Sequence, residues 1–450
     1  MFALNVNNAR SNVNTNIGAR PASGERLKRL AYAAWRPYPL KRTRVPRLSR
    51  CGAEIRPRQA VPVAPWRERS ALPPLRGHDQ RPGVRRLRCP GGYLPMARTA
   101  KHLFEQIACF DALEAAYRRA RRGKRDRAEV QRFERDLEGE LIQLQNELLW
   151  GTYRLSPYRL FRVFEPKERL IAALPFRDRV VQHALVAVIE PLWERRFIAH
   201  SYACRPGRGL HRAVATTQGW LRHLSRDGQR VYALKGDIAQ YFPSIDHGLL
   251  KALLRRRIAC PRTLALCDLI IDASPSVSGL AAQGLPIGNL TSQLWANVYL
   301  DALDRFVKHE VRARYYARYM DDFILLATDK DTLHRARGQI ETFLWEQLRL
   351  RTNRKTQVFP LGRVHGRGLS FVGFRLWPSH RLLTRSSVIR IRRNLKRLAD
   401  YYRQGLVSLT RVQQGITSWI AHAQHAQTWG LRQKLLGELP VIREARHGAG

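Results

Sequence analysis

Two adjacent aspartates, Asp321 and Asp322, lie between runs with the composition of strands, Tyr315-Tyr316-Ala317-Arg318 and Phe323-Ile324-Leu325-Leu326-Ala327. The spacing places both acids at the tip of a β-hairpin. Like charges side by side between apolar strands repel each other and resist desolvation, and a divalent cation relieves both costs. A third carboxylate, Asp237, closes the strand-like run Val231-Tyr232-Ala233-Leu234-Lys235-Gly236, just ahead of an expected turn into a helix. Three acids at the ends of neighbouring strands make a hard-oxygen ligand set that leaves room for water and phosphate. Such a set suits two Mg2+ ions, with Mn2+ as a substitute, and in-line phosphoryl transfer. An Asp-Asp pair by itself would be a solvated turn, so the surrounding residues decide.

Those surroundings form an ordered series: Leu234-Lys235-Gly236-Asp237-Ile238-Ala239-Gln240-Tyr241-Phe242, then Gln283-Gly284-Leu285-Pro286-Ile287-Gly288-Asn289, then Tyr319-Met320-Asp321-Asp322. With them, the chain from Tyr153 to Leu436 resembles a reverse transcriptase. The resemblance implies an α+β right-hand polymerase: fingers, a palm whose antiparallel sheet carries the Tyr-Met-Asp-Asp hairpin, and a helical thumb. It implies metal ligands at Asp237, Ile238, Asp321 and Asp322, with Asp237 and Asp321 shared by both ions. Deoxynucleoside triphosphates would be added to a DNA or RNA primer along an RNA template.

Other positions follow from the same resemblance. Phe242 matches an aromatic under the sugar, where a ring leaves no room for a 2′-hydroxyl; the other reading is a core Phe beside Tyr241. Gln283 and Gly284 open a loop before a helix over 292–306, expected to pack under the nascent base pair. Lys355 matches a lysine near the pyrophosphate and is a candidate general acid or a charge screen. In the fingers, Arg169 and Arg177 are the choices among several arginines for gripping the triphosphate, since a guanidinium donates bidentately to phosphate. Glu165-Pro166-Lys167-Glu168-Arg169 is expected at the tip of that hairpin, and Asp178 and Arg179 are expected to pair within the scaffold. Ser201 to Gly209 resembles a template-contacting turn, with arginines for phosphate. Leu369 to Phe374 fits a primer-grip hairpin, and the basic helix with Arg390, Arg392, Arg393, Lys396 and Arg397 would line the duplex.

Ile287, Gly288 and Asn289, followed by Leu290-Thr291-Ser292-Gln293, depart from the group II intron pattern Gln-Gly-x-x-x-Ser-Pro. They resemble the narrower class of diversity-generating retroelement reverse transcriptases. That class implies copying errors at adenines and a small basic helical accessory protein. A retron or defence-type reverse transcriptase is the alternative enzyme. The alternative of a different class is an inactive palm kept as an RNA-binding scaffold, which the presence of all three acids disfavours.

Composition agrees with a polyanionic partner. The 450 residues carry 80 Lys plus Arg against 36 acids, a net charge of +44. Nucleic acid is the first candidate and an acidic membrane surface a distant second. No apolar run is long enough to span a bilayer and no secretory core opens the chain, so a cytoplasmic, intracellular protein of bacterial or phage type is expected, without membrane contact. Six scattered cysteines, with no CxxC pair, read as reduced structural thiols rather than a zinc site or disulfide framework. Residues 1–95 hold 12 of the 24 prolines and 20 Lys plus Arg against 4 acids. Three readings stand for them: a disordered segment, a basic nucleic-acid arm, or a non-native extension upstream of a start at Met96. Residues 96–152 are expected as helices, 153–380 as fingers and palm, and 381–450 as thumb and tail. With no ribonuclease H unit or maturase extension in the sequence, a minimal polymerase that needs partners is expected.

Overall fold

Apolar residues at helical spacing over 103–148 fold into α1 (Phe104–Ala108), α2 (Phe110–Ala120), α3 (Ala128–Arg135) and α4 (Leu137–Trp150). The last starts at Asp136, whose carboxylate accepts from the Gly139 amide, and stops at Gly151 in a left-handed conformation. The computed structural model describes residues 99–164, 168–275, 282–362 and 366–438. The Arg/Pro-rich segment with Cys51 and Cys89, the expected Glu165-Pro166-Lys167 tip and the tail from 439 lie outside the described residues.

A short antiparallel pair follows, β1 (Arg159–Val163) and β2 (Arg169–Ala173), then the long helix α5 (Phe176–Glu194), which packs on α1 to α4 through Phe176, Val180, Ala184 and Leu185. Helix α6 (Leu210–Leu224) precedes the central strand β3 (Val231–Asp237). A single 3-10 turn (Phe242–Ser244), α7 (His247–Arg255) and α8 (Pro261–Asp272) lead to the 20-residue helix α9 (Leu290–His309). The hairpin β4 (Tyr315–Tyr319) and β5 (Asp322–Ala327), the helix α10 (Lys330–Leu348) and β6 (Gln357–Leu361) complete the palm.

The palm sheet has the order β4-β5-β3-β6, antiparallel throughout. Side chains alternate across it with period two. Leu234, Tyr316, Phe323 and Leu325 enter one core with α5 and α9; Ala233, Ala317, Ile324, Leu326 and Phe359 enter a second core with the next sheet and the C-terminal helices. That next sheet is β7 (Leu369–Phe371), β8 (Phe374–Leu376) and β9 (Arg381–Leu383). Beyond it, α11 (Arg385–Arg403), α12 (Leu409–Ala423) and α13 (Trp429–Gly437) form the thumb. Helix α11 buries Leu395 and Ala399 and exposes Arg392, Arg393, Lys396 and Arg397. This is the right-hand polymerase architecture, α+β, with the strands that carry the three acids at the junction of two cores.

One expectation is corrected here. Arg205, in the Ser201–Gly209 turn, is buried: its guanidinium pairs with both Glu194 oxygens at 2.7 and 2.8 Å and donates to the Ile198 and Ser201 carbonyls. Two bonds to Glu194 at the end of α5 and two to main-chain carbonyls tie it into the scaffold, away from any phosphate. Asp178 and Arg179 do pair within the scaffold, though with other residues: Tyr153 Oη donates to Asp178, and Arg179 forks onto Glu129. No described helix is long and apolar enough to cross a membrane. Cys260 and Cys267 are buried free thiols, and Cys109 and Cys204 are exposed ones.

Candidate active site

Register alone brings the acids together. Asp237, the last residue of β3, stands opposite Asp322, the first residue of β5, and Asp322 stands opposite Tyr319 across the hairpin. Met320 and Asp321 make the two-residue turn, with Met320 at φ +58°. The turn is tied to β3 by the Ile238 amide, which donates to the Asp321 carbonyl at 3.2 Å. Directly opposite residues of an antiparallel pair project to the same face, so Asp237 and Asp322 share a face with Lys235. Gly236 allows this approach: a Cβ there would lie 2.1 Å from the Phe323 ring. On the far side, Asn353 donates its Nδ2 to Asp237 Oδ2 at 3.2 Å and its amide to the Asp237 carbonyl.

The electrostatics are those of crowded anions. Burial pushes Asp322 up to about 7, with Asp237 and Asp321 adding to the rise and Lys235 opposing it. Burial and then Asp237 raise Asp321 as well, and Arg169 at the start of β2 acts the other way. Asp322 Oδ1 is buried with no hydrogen-bond partner among the described residues. An unmatched anionic oxygen amid mutually repelling carboxylates fits a hard divalent cation in charge and donor type. Among the described residues no group of three or more Asp, Glu, His or Cys side chains is placed to hold a metal ion as it stands. Ile238 has its side chain in the core, so only its main chain could serve as a ligand.

A cavity of about 320 Å³ opens beside these acids, lined by Asp237, Asp322, Lys235, Lys355, Arg367 and Arg375 among others. Lys355 is thus beside two of the carboxylates, in the turn before β6. Arg177 is elsewhere: its guanidinium pairs with Glu147 of α4 at 2.7 Å and lies over the Tyr153 ring. That pair takes one of its donor nitrogens and holds the guanidinium against α4. Phe242 is half-buried, its ring edge-on to Tyr241 at 5.6 Å and its carbonyl accepting from the Leu285 amide at 2.9 Å. Gln283 bridges to Asp246, and Gly284, at φ +97°, donates to the Ile245 carbonyl and accepts from buried His247 at 2.7 Å. The loop is therefore strapped against the segment that carries Phe242. Further along, Ile287 accepts from the Ala172 amide, Gly288 passes against Ile171, and buried Asn289 donates to Tyr158 Oη at 3.0 Å. These three residues face the fingers strand β2 and the approach to β1.

Two charged residues at the centre escape a reading of the sequence by motif. Arg318, fully buried in β4, spends all five N–H groups: two on Asp304 at 2.7 Å each, and one each on Asn297, Ser201 Oγ and the Met320 carbonyl of the catalytic turn. Lys235 reaches the Ser370 carbonyl of β7 at 2.9 Å and Asp322 Oδ2 at 3.5 Å. The only signal in the sequence was a cation at each point where a strand should carry an apolar residue.

Carboxylates on adjacent strand ends of a β4-β5-β3-β6 sheet, a helix-backed loop and a helical thumb define the palm of a nucleotide polymerase. Residues 165–376 match the family model described as reverse transcriptase (RNA-dependent DNA polymerase). The chain is 31% identical over 277 residues to Protein YkfC of Escherichia coli (strain K12), an alignment covering 53% of this chain and 71% of that protein. It is 28% identical over 177 residues to the group II intron-encoded protein LtrA of Lactococcus lactis subsp. cremoris, covering 38% of this chain and only 28% of that protein. Among solved structures, apo telomerase from Candida tropicalis overlaps 65% of this chain and 62% of its own at 12% identity and a TM-score of 0.41, too loosely to add to the argument. The chain belongs to the reverse transcriptase family.

Proposed function

We propose that this chain copies an RNA template into cDNA, adding deoxynucleotides to a primer by phosphoryl transfer at Asp237, Asp321 and Asp322. The observation that carries the reading is the register that sets Asp237 opposite Asp322 with Asp321 in the adjoining turn. Two Mg2+ ions, or Mn2+ in their place, would supply activation of the primer hydroxyl and neutralisation of the phosphates when bound. The chain's own residues do the rest. Asp237 and Asp321 would present oxygens to the ions, and Asp322 would add a third carboxylate behind them. Arg169, whose charge opposes the rise of Asp321, would be the fingers residue that meets the triphosphate. Lys355 stands beside the acids as a proton donor to the leaving group or as a screen. Phe242 blocks a 2′-hydroxyl, and Gln283 and Gly284 shape the floor of the pocket.

Asp321→Asn and Asp237→Asn are expected to abolish nucleotide addition in a primer-extension assay while RNA binding stays within a few-fold, since the basic surface is untouched. Polymerisation retained by either folded variant refutes the assignment.

The narrower reading, a retroelement enzyme with an accessory protein in the cytoplasm, rests on Ile287-Gly288-Asn289. Base selection is worth only a few kcal/mol, so a changed loop is enough to loosen it. Sequencing cDNA made by the purified chain tests it: errors concentrated opposite adenine support the reading, and errors spread over all four template bases reject it.

A further inference from the structure

Lys235 stands two residues before Asp237 on β3, on the face of the sheet that carries Asp237 and Asp322 and turns toward β7. Its ammonium spans two sheets. It donates to the Ser370 main-chain carbonyl at 2.9 Å and lies 3.5 Å from Asp322 Oδ2, with side chains about one-quarter exposed at both ends of the pair. The other oxygen of Asp322 is buried without a hydrogen-bond partner, so among the described residues Lys235 is the counter-charge the carboxylate touches. Lys355, Arg367 and Arg375 line the same cavity, yet none of them makes an ion pair with Asp322 among the described residues. Ser370 belongs to the β7–β8 hairpin, whose neighbours Leu369, Phe371 and Phe374 sit in the second core.

We propose that Lys235 is a positioning residue of the site, the counter-charge that holds Asp322 in place and the tether that fixes the β7–β8 hairpin to the catalytic sheet. The proposal rests on the polymerase reading only for its consequence in catalysis. Its physical content is independent of it. Three carboxylates packed at strand ends repel one another, and a cation held between one of them and a main-chain carbonyl offsets part of that repulsion. An ammonium suits this place because it is a compact charge with three rotatable donors, able to serve a carboxylate and a carbonyl that lie in different directions. Since β7 accepts one of those bonds, a shift of the hairpin is felt at Asp322. A divalent ion must compete with Lys235 for that carboxylate, so the residue also sets how tightly the metal is held.

The experiment compares Lys235→Met and Lys235→Arg with the unsubstituted full-length chain, free of substrate. Mn2+ affinity is read by electron paramagnetic resonance, and amide exchange is followed over 369–376. Loss of the cation is expected to tighten Mn2+ binding several-fold and to speed exchange in the hairpin. The arginine variant, which keeps the charge and a donor, is expected to fall near the parent in both. In primer extension, the Met variant is expected to lose kcat with little change in KM for the deoxynucleotide. Should the Met variant fail to fold, Lys235→Gln carries the same metal comparison, because it drops the charge and keeps a donor for Ser370. Unchanged Mn2+ affinity and unchanged exchange in a folded charge-free variant overturn the proposal, as does an unsubstituted chain that binds no Mn2+. Failure of the unsubstituted chain to extend a primer refutes the polymerase reading instead, and the two substrate-free readouts still decide the role of Lys235.

Discussion

Removing Arg318 separates stability from catalysis at the palm. Its guanidinium is fully buried and each of its five N–H groups has an acceptor, so Arg318→Met strands Asp304 as an unpaired buried anion. Breaking such a pair by deleting one partner costs roughly 3–5 kcal/mol. Arg318→Lys keeps the charge but offers three donors for five acceptor contacts, and each buried acceptor left unmet costs about 1–3 kcal/mol. Neither single change tells packing from positioning. The triple variant Arg318→Met, Asp304→Leu, Tyr316→Phe does, because it removes the ion pair together with the Tyr316 hydroxyl that also donates to Asp304 at 2.7 Å. Apolar replacement of a whole buried network is often neutral or stabilising. Urea unfolding followed by circular dichroism is expected to show the single Met variant several kcal/mol below the parent and the triple variant well above the single one, short of the parent by what the Asn297, Ser201 and Met320 contacts contribute. Primer extension is expected to stay depressed in both, since the Met320 carbonyl at the catalytic turn has lost its 3.0 Å donor in each case. A triple variant with parental stability and parental kcat would show that Arg318 serves the fold alone.

Three further outcomes are expected. Phe242→Val should admit ribonucleotides while deoxynucleotide addition survives at a reduced rate, read by primer extension with each triphosphate; unchanged sugar discrimination places the gate elsewhere. Gly236→Ala should cost about 1–3 kcal/mol through overpacking against Phe323 and lower kcat as well, because that ring carries the strand that starts at Asp322; a melting curve and rate equal to the parent's refute the close packing. At the joint of palm and thumb, His211 stacks on His425 at 3.6 Å and reaches His422 at 3.2 Å, and burial, then His425, His422 and Arg381, push it down to about 4. A histidine lowered in the folded state binds its proton mainly when unfolded, so its stabilising contribution is complete above the unfolded value near 6.5 and is lost as pH falls from there toward 4. Melting temperatures measured from pH 7 down to 4.5 should fall less steeply for His211→Phe than for the parent, and parallel curves count against the stack as a titrating unit.

Much of the palm was legible in the sequence because its signals are local. The hairpin announces itself through two β-rich runs around a short acidic turn, and Val231 to Asp237 ends on the one residue type that the strand end needs. The helix expected over 292–306 proved longer, Leu290–His309, since Asn289 at its start keeps an extended backbone and leaves the first turn free to begin at Leu290. What could not be read were partnerships between residues far apart in the chain. Arg177 looks like a phosphate ligand until α4, thirty residues earlier, supplies Glu147. Arg205 looks the same until Glu194 and two carbonyls claim it. Arginine is the phosphate binder of choice for the same reason that it is the best buried ion-pair partner, a rigid fork of donors. Residue type therefore cannot separate the two uses, and burial can.

The loop after Gln283 shows how that distinction bears on base selection. Its motif residues were expected against the nascent pair, yet the Ile287 carbonyl meets Ala172, Gly288 meets Ile171 and Asn289 meets Tyr158. All three contacts lie on β2 or on the approach to β1. Strand β2 begins at Arg169, whose charge acts on Asp321. The loop thus rests on the strand whose first residue, Arg169, carries a charge that opposes the rise of Asp321. On that geometry, substitutions at Tyr158 and at Asn289 act through one hydrogen bond, and their effects on error rate should not add.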